Sequence, residues 1–269
     1  MSSHDSLDLN ARLSLALELA KEAGDITLKY FRQDNFEVER KSDNSPVTQA
    51  DREAEQWMRK RLTEAFPEDG IVGEEFGEQP GQSGARWILD PIDGTKSFIC
   101  GVPLYAVLIG LEHQQKSVLG VIHIPALAEG VYAASGQGAW SYRGDADKQP
   151  ARVSERPLSE GLFTTSQSGS FAERGAGEAF HELEKAAYIA RTWGDAYGYM
   201  LVATGRAEVM IDPEMSIWDA AALQPIMEEA GGSFTDWRGQ PTIHSGEGVG
   251  CNQASLSQVL EITKRYPSS

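Results

Sequence analysis

The sequence predicts a layered protein of the mixed α/β (α+β) class, in which an α+β half is followed by an α/β half. Three observations support this prediction. Two amphipathic helices open the chain, a series of strand-like segments and a β-meander follow, and strands and helices then alternate. The 269 residues leave room for one or two domains of ordinary size. We therefore expect an N-terminal half over 1–147, which carries most of the functional acids, and a C-terminal half over 148–269.

The first half begins with two helices. Leu13 and Leu17 belong to an apolar series at helical spacing, which predicts a helix over 9–32. Thr48 is a good N-cap for a second helix, which ends before Pro67. Apolar runs predict strands over residues 36–40, 71–73, 86–90, 106–111, 118–123, 130–134 and 138–142. Turn-forming residues predict irregular structure over 41–46 and 76–84.

The second half alternates between the two kinds of element. Strands are predicted over residues 162–165, 208–211 and 232–237. Helices are predicted within 171–187 and over 196–204 and 218–230, the last ending at Gly231 and Gly232. This alternation is typical of an α/β layer packed against the first half.

Charge and cysteine content exclude several function classes. Forty acidic and 24 basic residues give a net charge of −16, which disfavours nucleic acid and anionic membranes as partners. An anionic substrate would then need a local positive feature, such as a bound divalent cation. Two cysteines cannot form a disulfide framework, and neither a signal peptide nor a membrane-spanning run is visible. We expect a cytoplasmic protein.

Three separate segments end an apolar stretch in carboxylates. They are Gly73-Glu74-Glu75, Leu89-Asp90-Pro91-Ile92-Asp93 and Ile217-Trp218-Asp219. Each alone is typical of a solvated turn or cap. Together they favour a cation site, because clustered carboxylates are costly unless a positive charge neutralises them. Oxygen ligands without histidine or cysteine favour Mg²⁺ or Mn²⁺ over zinc.

The residues that follow Asp93 indicate phosphate chemistry. Gly94-Thr95-Lys96-Ser97 resembles the opening of a helix, where backbone N–H groups bind anions. A metal site beside such amides suits phosphoryl transfer. Thr95 is placed to orient an attacking water, with Glu74 or Asp51 as the proton acceptor. Lys96 either adds positive potential near the phosphate or faces solvent.

These motifs resemble those of a known family. Gly73-Glu74-Glu75, the segment from Trp87 to Thr95 and Trp218-Asp219-Ala220-Ala221 are similar to the signature motifs of the inositol monophosphatase superfamily of Mg²⁺-dependent phosphatases. The resemblance covers nearly the whole chain, including the early segment from Pro46 to Asp51. It implies a layered α-β-α-β-α sandwich and a homodimer.

The resemblance also implies a role for individual residues around two or three Mg²⁺ ions, with Mn²⁺ as a substitute. The ligands implied for the first ion are Glu74, Asp90 and the carbonyl of Ile92, and those for the second are Asp90, Asp93 and Asp219. Asp51 would help with a third ion, although Ser45 stands where many family members have a further acid and Asp43 is shifted. Thr95 and Glu74 match the water-activating pair, and the amides of Gly94 and Thr95 match the phosphate contact. The substrate would accordingly contact Ile92, Asp93, Gly94, Thr95 and Asp219.

The organic part of the substrate is suggested by additional acids. Asp195 follows Gly194, and Asp212 and Glu214 approach Asp219 from the same predicted strand end. Anions beside a phosphate site suggest that the rest of the ester is cationic. Asp195 is as well suited to cap the following helix, and Arg191 would either lie near the phosphate or steer Asp195.

The segments around these acids resemble the histidinol-phosphate phosphatase branch of the superfamily. Those segments are Asp-Pro-Ile-Asp-Gly-Thr-Lys-Ser-Phe, Gly-Asp-Ala-Tyr-Gly-Tyr and Leu-Val-Ala-Thr-Gly-Arg. Histidinol phosphate carries an ammonium and an imidazole, so this resemblance agrees with the charges. We expect a phosphoric monoester hydrolase with a role in histidine biosynthesis. The alternatives are an inositol-1-phosphate or other small-molecule phosphatase and, more remotely, an inactive regulatory homologue.

Overall fold

The computed structural model describes residues 7–33, 38–40, 46–144 and 146–266, with the backbone alone described at 38–40, 46 and 47. The helices within these ranges are α1 (Leu9–Leu28), α2 (Gln49–Ala65), α3 (Thr95–Ile99), α4 (Ser168–Glu173), α5 (Gly177–Ala186), α6 (Ala196–Ala203), α7 (Ile217–Ala220), α8 (Leu223–Glu229) and α9 (Gln253–Thr263). The strands are β1 (Val38–Arg40), β2 (Pro46–Thr48), β3 (Gly70–Gly73), β4 (Gly77–Gln79), β5 (Ala85–Asp93), β6 (Ala106–His113), β7 (Lys116–Ile124), β8 (Glu129–Ala134), β9 (Ala139–Arg143), β10 (Gln149–Pro150), β11 (Leu162–Thr164), β12 (Ile189–Arg191), β13 (Val209–Asp212), β14 (Ser233–Thr235) and β15 (Gly248–Cys251).

A large sheet forms the centre of the first half. Its described strands follow the order β10-β9-β8-β7-β6-β5-β3-β4 and pair antiparallel, except for the parallel pair β3 and β5. Helices α1 and α2 pack on one face, where Leu19, Met58 and Trp87 are fully buried. β10 extends this sheet beyond residue 147, and the proposed division into 1–147 and 148–269 remains a prediction.

A smaller sheet forms the centre of the second half. Its described strands follow the order β12-β11-β13-β15-β14. Helices α6 and α8 contact both sheets and make a shared middle layer, whose core includes Tyr199 and Ile226. On the outer face of the small sheet, α5 packs against α9 over a core that includes Phe163 and Leu183. This succession of layers confirms the predicted α-β-α-β-α sandwich.

Several predicted boundaries were wrong. The first helix ends at Leu28 rather than at residue 32, where Arg32 has a positive φ of 59°. The segment 76–84, predicted to be a loop, contains the exposed strand β4, whose polar side chains carry no apolar pattern. The region 171–187 holds two helices, which are separated at Gly175 (φ 76°). The predicted structure at 36–37 and at 41–45 lies outside the described residues.

The predicted helix over 218–230 is broken into α7 and α8. Pro225 lacks the N–H that would bond the carbonyl oxygen of Ala221 in a continuous helix. That carbonyl instead accepts a hydrogen bond of 2.5 Å from the Ser117 hydroxyl on β7. A Cβ atom on Gly120 would overlap the carbonyl oxygen of Ala222, so this glycine lets the junction lie directly on the large sheet. The close packing determines where Asp219, near the end of α7, is held.

None of the described helices combines the length and the apolar character that crossing a membrane requires.

Candidate active site

Three carboxylates meet where the large sheet borders the middle helix layer. Asp90 and Asp93 lie at the end of β5, and Asp219 lies in α7. One oxygen from each lies within 4.8 Å of the others, and this is the group of metal-ligand type found among the described residues. Asp219, which lies 126 residues beyond Asp93 in the chain, therefore forms one acidic cluster with Asp90 and Asp93, as the sequence predicted.

The chain around Pro91 orients the first two acids. The pairing of β5 with β6 becomes irregular between Asp90 and Asp93, which agrees with a bend at the proline. The Ile92 amide donates to Asp90 Oδ1 at 3.0 Å. The first amide of α6, that of Ala196, donates to Asp93 Oδ2 at 2.6 Å and so ties the middle layer to the cluster.

Asp219 is oriented by a capping box. Its Oδ2 accepts the Ser216 amide at 2.6 Å, while the Ser216 side chain caps the start of α7. Because the junction with α8 rests on the large sheet at Gly120, this short helix cannot shift without disturbing a buried contact.

The electrostatics of the cluster favour a bound cation. Burial, followed by the charges of neighbouring acids, raises the pKa of Asp90 and Asp93 well above the ordinary range. Burial also raises the pKa of Asp219 to about 7, with Glu74 and Asp212 adding to the effect. Carboxylates this close repel one another unless a cation lies between them. An all-oxygen donor set fits a hard divalent cation such as Mg²⁺.

Two further acids lie near the cluster: Glu74, directly after β3, and Asp51, in the first turn of α2. Glu74 is half-buried, lines the cavity above the cluster and contributes to the raised pKa of Asp51, Asp90 and Asp219. Asp51 is buried in the first turn of α2, where its Oδ2 accepts the Thr48 amide at 2.8 Å and the Thr48 hydroxyl at 2.6 Å. Its Oδ1 has no hydrogen-bond partner, and burial raises the pKa of Asp51 to about 6. The positions of Asp43 and Ser45 lie outside the described residues.

The predicted phosphate segment opens α3, a helix of five residues. Gly94 is its N-cap and has a φ of 82°, a conformation that favours glycine. A Cβ atom at this position would come within 2.6 Å of Asp195 Oδ2, so the glycine also admits the Asp195 carboxylate. The Thr95 hydroxyl donates to the carbonyl oxygen of Ile92 at 3.1 Å. The hydroxyl predicted to orient the water is thereby in contact with the carbonyl predicted to bind the metal ion.

A cavity of about 580 Å³ extends from the acidic cluster between the two halves, and a smaller one of about 200 Å³ adjoins it over Gly94 and Thr95. Seven acidic residues line the larger cavity: Glu74, Asp93, Glu173, Asp195, Asp212, Glu214 and Asp219. Lys96 is the one basic residue on this part of the described surface, and its amine lies 3.2 Å from the Gln167 amide oxygen across the opening.

Asp212 lies at the wall of this cavity and is buried. It accepts the Ser166 amide at 3.0 Å and lies beside the Tyr199 hydroxyl. Burial raises the pKa of Asp212 to about 6, although the hydrogen bonding from Ser166 acts in the opposite direction. Asp212 therefore holds the β11–α4 connection to the end of β13.

Arg191 is the predicted site residue that the structure leaves apart from the others. Its side chain is exposed on the edge strand β12, where a guanidinium nitrogen donates to the Ala190 carbonyl at 2.6 Å. It does not belong to the lining of either cavity at the cluster. Its ring neighbour is Trp193, 6.0 Å from the guanidinium carbon.

Sequence reasoning missed part of the cavity wall. Ser166, Gln167, Ser170 and Glu173 line it from the β11–α4 region, and Tyr199 lines it from α6. The sequence feature that could have indicated the β11–α4 residues is their position just beyond the predicted strand over 162–165. Residues just beyond the ends of strands in α/β sheets often form binding sites. Their small or polar side chains form no motif, so only their position would have indicated the role.

Comparison with known proteins agrees with the site. The family model described as "Inositol monophosphatase family" matches residues 8–267. A histidinol-phosphatase from Chlorobaculum parvum is 47% identical over 237 residues, covering 88% of this chain and 90% of that protein. A histidinol-phosphatase from Streptomyces coelicolor is 38% identical over 260 residues, covering 94% and 97%. The crystal structure of the extragenic suppressor protein suhB from Bartonella henselae matches with a TM-score of 0.85 at 30% identity, covering 95% of this chain and 99% of that one.

The three acidic motifs, the layered sandwich that brings them together and the match over nearly the whole length lead to one assignment. This chain belongs to the inositol monophosphatase family.

Proposed function

We propose that this protein is a Mg²⁺-dependent phosphoric monoester hydrolase that converts histidinol phosphate and water to histidinol and phosphate. The observation that carries the proposal is the cavity over the Asp90, Asp93 and Asp219 cluster, whose lining has seven acids and one lysine. A phosphate ester can approach such a surface only through bound cations, and its organic part is favoured if it is positive.

The proposed metal ligands are Glu74, Asp90, Asp93, Asp219 and the Ile92 carbonyl, with Asp51 supporting a third ion. A divalent cation held by these residues would supply polarisation of the phosphoryl oxygens and would lower the pKa of the attacking water. The Thr95 hydroxyl already donates to the Ile92 carbonyl, so its oxygen is left to accept a hydrogen bond from that water. Glu74, or Asp51 behind it, accepts the proton, and the amides of Gly94 and Thr95 bind the phosphate.

Asp195 is the proposed contact for the cationic part of the substrate. Its carboxylate lies beside Gly94, at the place where the phosphate segment meets the larger cavity. Asp212 adds negative potential from the wall, although the hydrogen bond that it accepts from the Ser166 amide suits it more to positioning. Arg191 would act indirectly from outside the cavity. The histidinol-phosphatases among the relatives support this substrate class.

The first experiment is phosphate release from a panel of esters, with Mg²⁺ and with EDTA. The panel contains histidinol phosphate, inositol 1-phosphate, fructose 1,6-bisphosphate and 3′-phosphoadenosine 5′-phosphate. We expect a preference for histidinol phosphate that is lost in EDTA. Release from no ester would support an inactive homologue and would overturn the proposal.

Asp195→Asn tests the charge argument within that panel. The loss of one charged contact is expected to raise KM for histidinol phosphate about tenfold, since such contacts contribute about 1.5 kcal/mol or more. Turnover of inositol 1-phosphate should change less than twofold. Glu182→Gln, which removes an exposed acid on α5 that pairs with Arg265, is the matched control. An unchanged KM in Asp195→Asn would remove this acid from the substrate site.

A second candidate substrate is inositol 1-phosphate. Ser166, Gln167 and Ser170 give one side of the cavity neutral hydrogen-bonding groups, which suit the hydroxyls of a polyol. A preference for this ester in the panel would keep the proposed mechanism and discard the cationic substrate.

The number of metal ions, the oligomeric state and the biological role can each be measured separately. We propose two or three ions per active site, with Mn²⁺ as a substitute, which metal titration of the EDTA-treated protein would count. We propose a cytoplasmic homodimer that contributes to histidine biosynthesis. Sedimentation would determine the oligomeric state, and complementation of a histidine auxotroph would test the role. The net charge of −16 supports a small-molecule partner over nucleic acid or an anionic membrane.

A further inference from the structure

A buried acid outside the predicted site lies directly beneath the segment that carries Glu74. Glu55, on the second turn of α2, is fully buried. Its Oε2 accepts the Glu75 amide at 2.7 Å, and its Oε1 accepts the Phe76 amide at 3.2 Å. These are the two peptide groups that follow Glu74, so one carboxylate orients the turn between β3 and β4.

Arg59, one helical turn beyond Glu55, completes this support. Its Nε donates to Glu55 Oε1 at 2.7 Å, and a terminal nitrogen donates to the carbonyl oxygen of Gly77. Together the two side chains bind three peptide groups over residues 75–77. The guanidinium supplies the opposite charge beside this buried carboxylate, whose two oxygens accept both amides.

The backbone on the other side of Glu74 is held as well. The Glu74 amide donates to the Leu89 carbonyl on β5 at 3.2 Å, next to Asp90. A Cβ atom on Gly73 would overlap the Glu55 carboxylate, so a larger residue here would displace that carboxylate from its present position. Glu74 is consequently fixed between a strand contact and the Glu55 carboxylate.

We propose that Glu55 and Arg59 are positioning residues, which hold Glu74 in the orientation needed to bind the metal ion. The inference rests on the proposed function, because it assigns Glu74 as a ligand. Residues that orient a metal ligand without touching the ion typically change metal affinity or activity 10–100-fold when they are mutated. The helix that presents Asp51 in its first turn thus also supports Glu74 from its second.

A matched control exists at the opposite end of the same strand. Asp69, directly before β3, is another buried carboxylate with several donors: Arg12 Nε at 3.0 Å, Arg12 Nη2 at 2.9 Å, Ser83 Oγ at 2.6 Å and Trp87 Nε1 at 3.1 Å. It does not line the cavities at the acidic cluster. Asp69→Asn should therefore lower the Tm without changing metal affinity.

The test is Mn²⁺ binding to the EDTA-treated full chain, followed by electron paramagnetic resonance of the free ion. We expect Glu55→Gln to weaken binding about 10–100-fold and Arg59→Gln to weaken it about tenfold. Both should raise the Mg²⁺ concentration for half-maximal activity by similar factors, whereas Asp69→Asn stays within twofold of the wild type.

Three outcomes would overturn the proposal. The first is a folded Glu55→Gln protein that binds Mn²⁺ as the wild type does. If that variant does not fold, the partly exposed Arg59 decides, and unchanged binding in Arg59→Gln overturns the proposal. The variant Glu74→Gln separates this inference from the proposed function. If it binds Mn²⁺ normally, the role of Glu74 as a ligand fails, and this inference fails with it.

Discussion

Replacing Asp212 by asparagine should stabilise the metal-free protein, by an amount that grows with pH. Asp212 is buried at the cavity wall, and burial raises its pKa from 3.8 to about 6. Below pH 4 the carboxyl is protonated in the folded and the unfolded chain, so it contributes little. Above pH 4 the unfolded chain releases the proton first, which favours unfolding until the pH passes the folded pKa. An asparagine has no proton to release, so the variant escapes this penalty.

The size of the effect follows from the two pKa values. Linkage between 3.8 and about 6 gives a cost of about 1.5 kcal/mol at pH 5 and about 3 kcal/mol at pH 8. The amide oxygen of asparagine still accepts the Ser166 N–H. In the wild type, the change in this hydrogen bond as Asp212 ionises is already contained in the folded pKa. In the variant the bond does not change with pH, so it shifts the whole curve and leaves its slope unchanged.

The assay is urea unfolding of both proteins in EDTA at several pH values from 5 to 8. The stability of variant minus wild type should rise by about 1.5 kcal/mol across this range. His123, whose burial lowers its pKa to about 4, acts with the opposite sign on the absolute stability but cancels in the difference. A difference that is constant with pH would refute the reasoning.

Three further substitutions test the packing and the cavity. Gly120→Ala should destabilise the protein by about 1–3 kcal/mol, because the new methyl overlaps the Ala222 carbonyl; thermal unfolding measures it, and a loss under 0.5 kcal/mol would contradict the packing. Ser117→Ala should lower the free energy of unfolding by about 1–3 kcal/mol, because it leaves the Ala221 carbonyl without its donor. An unchanged midpoint of urea unfolding would contradict this expectation. Lys96→Gln should weaken competitive inhibition by inorganic phosphate about 3- to 10-fold, because it removes the one lysine of the cavity wall. An unchanged inhibition constant would show that Lys96 does not contribute to phosphate binding.

The parts of the fold that could be predicted are those where local pattern and packing agree. The Thr48 cap predicts the start of α2 because the capping box depends on neighbouring residues alone. The buried strands β6 and β7 were predicted from continuous apolar runs. β15 was missed because Gly-Val-Gly-Cys has no alternation and becomes a strand only by pairing with β13 and β14. Pro225 was a visible signal for the break between α7 and α8, and the apolar periodicity around it concealed that signal.

The acidic cluster could be predicted from its motifs, whereas the support beneath it could not. The motifs place Asp90 and Asp93 at one strand end, and Asp219 was joined to them because its segment also ends an apolar stretch in a carboxylate. In the sequence alone, the i,i+4 spacing of Glu55 and Arg59 indicates an ion pair on a solvated helix face, which is the usual role of such a pair. Their burial depends on the turn after Gly73 folding over them, and this is a tertiary contact that spacing along the helix does not reveal.

The distance along the chain between the members of the acidic cluster has a consequence for protein synthesis. Asp90 and Asp93 emerge from the ribosome well before Asp219, which lies 126 residues beyond Asp93 in the chain. A nascent chain can therefore complete its large sheet while the proposed metal site still lacks one carboxylate and the α7–α8 junction that holds it. Domains fold as units during synthesis, and contacts of long sequence separation form late. Hydrolytic activity should thus appear only after Asp219 has been synthesised, and chains truncated before this residue should be inert toward phosphate esters.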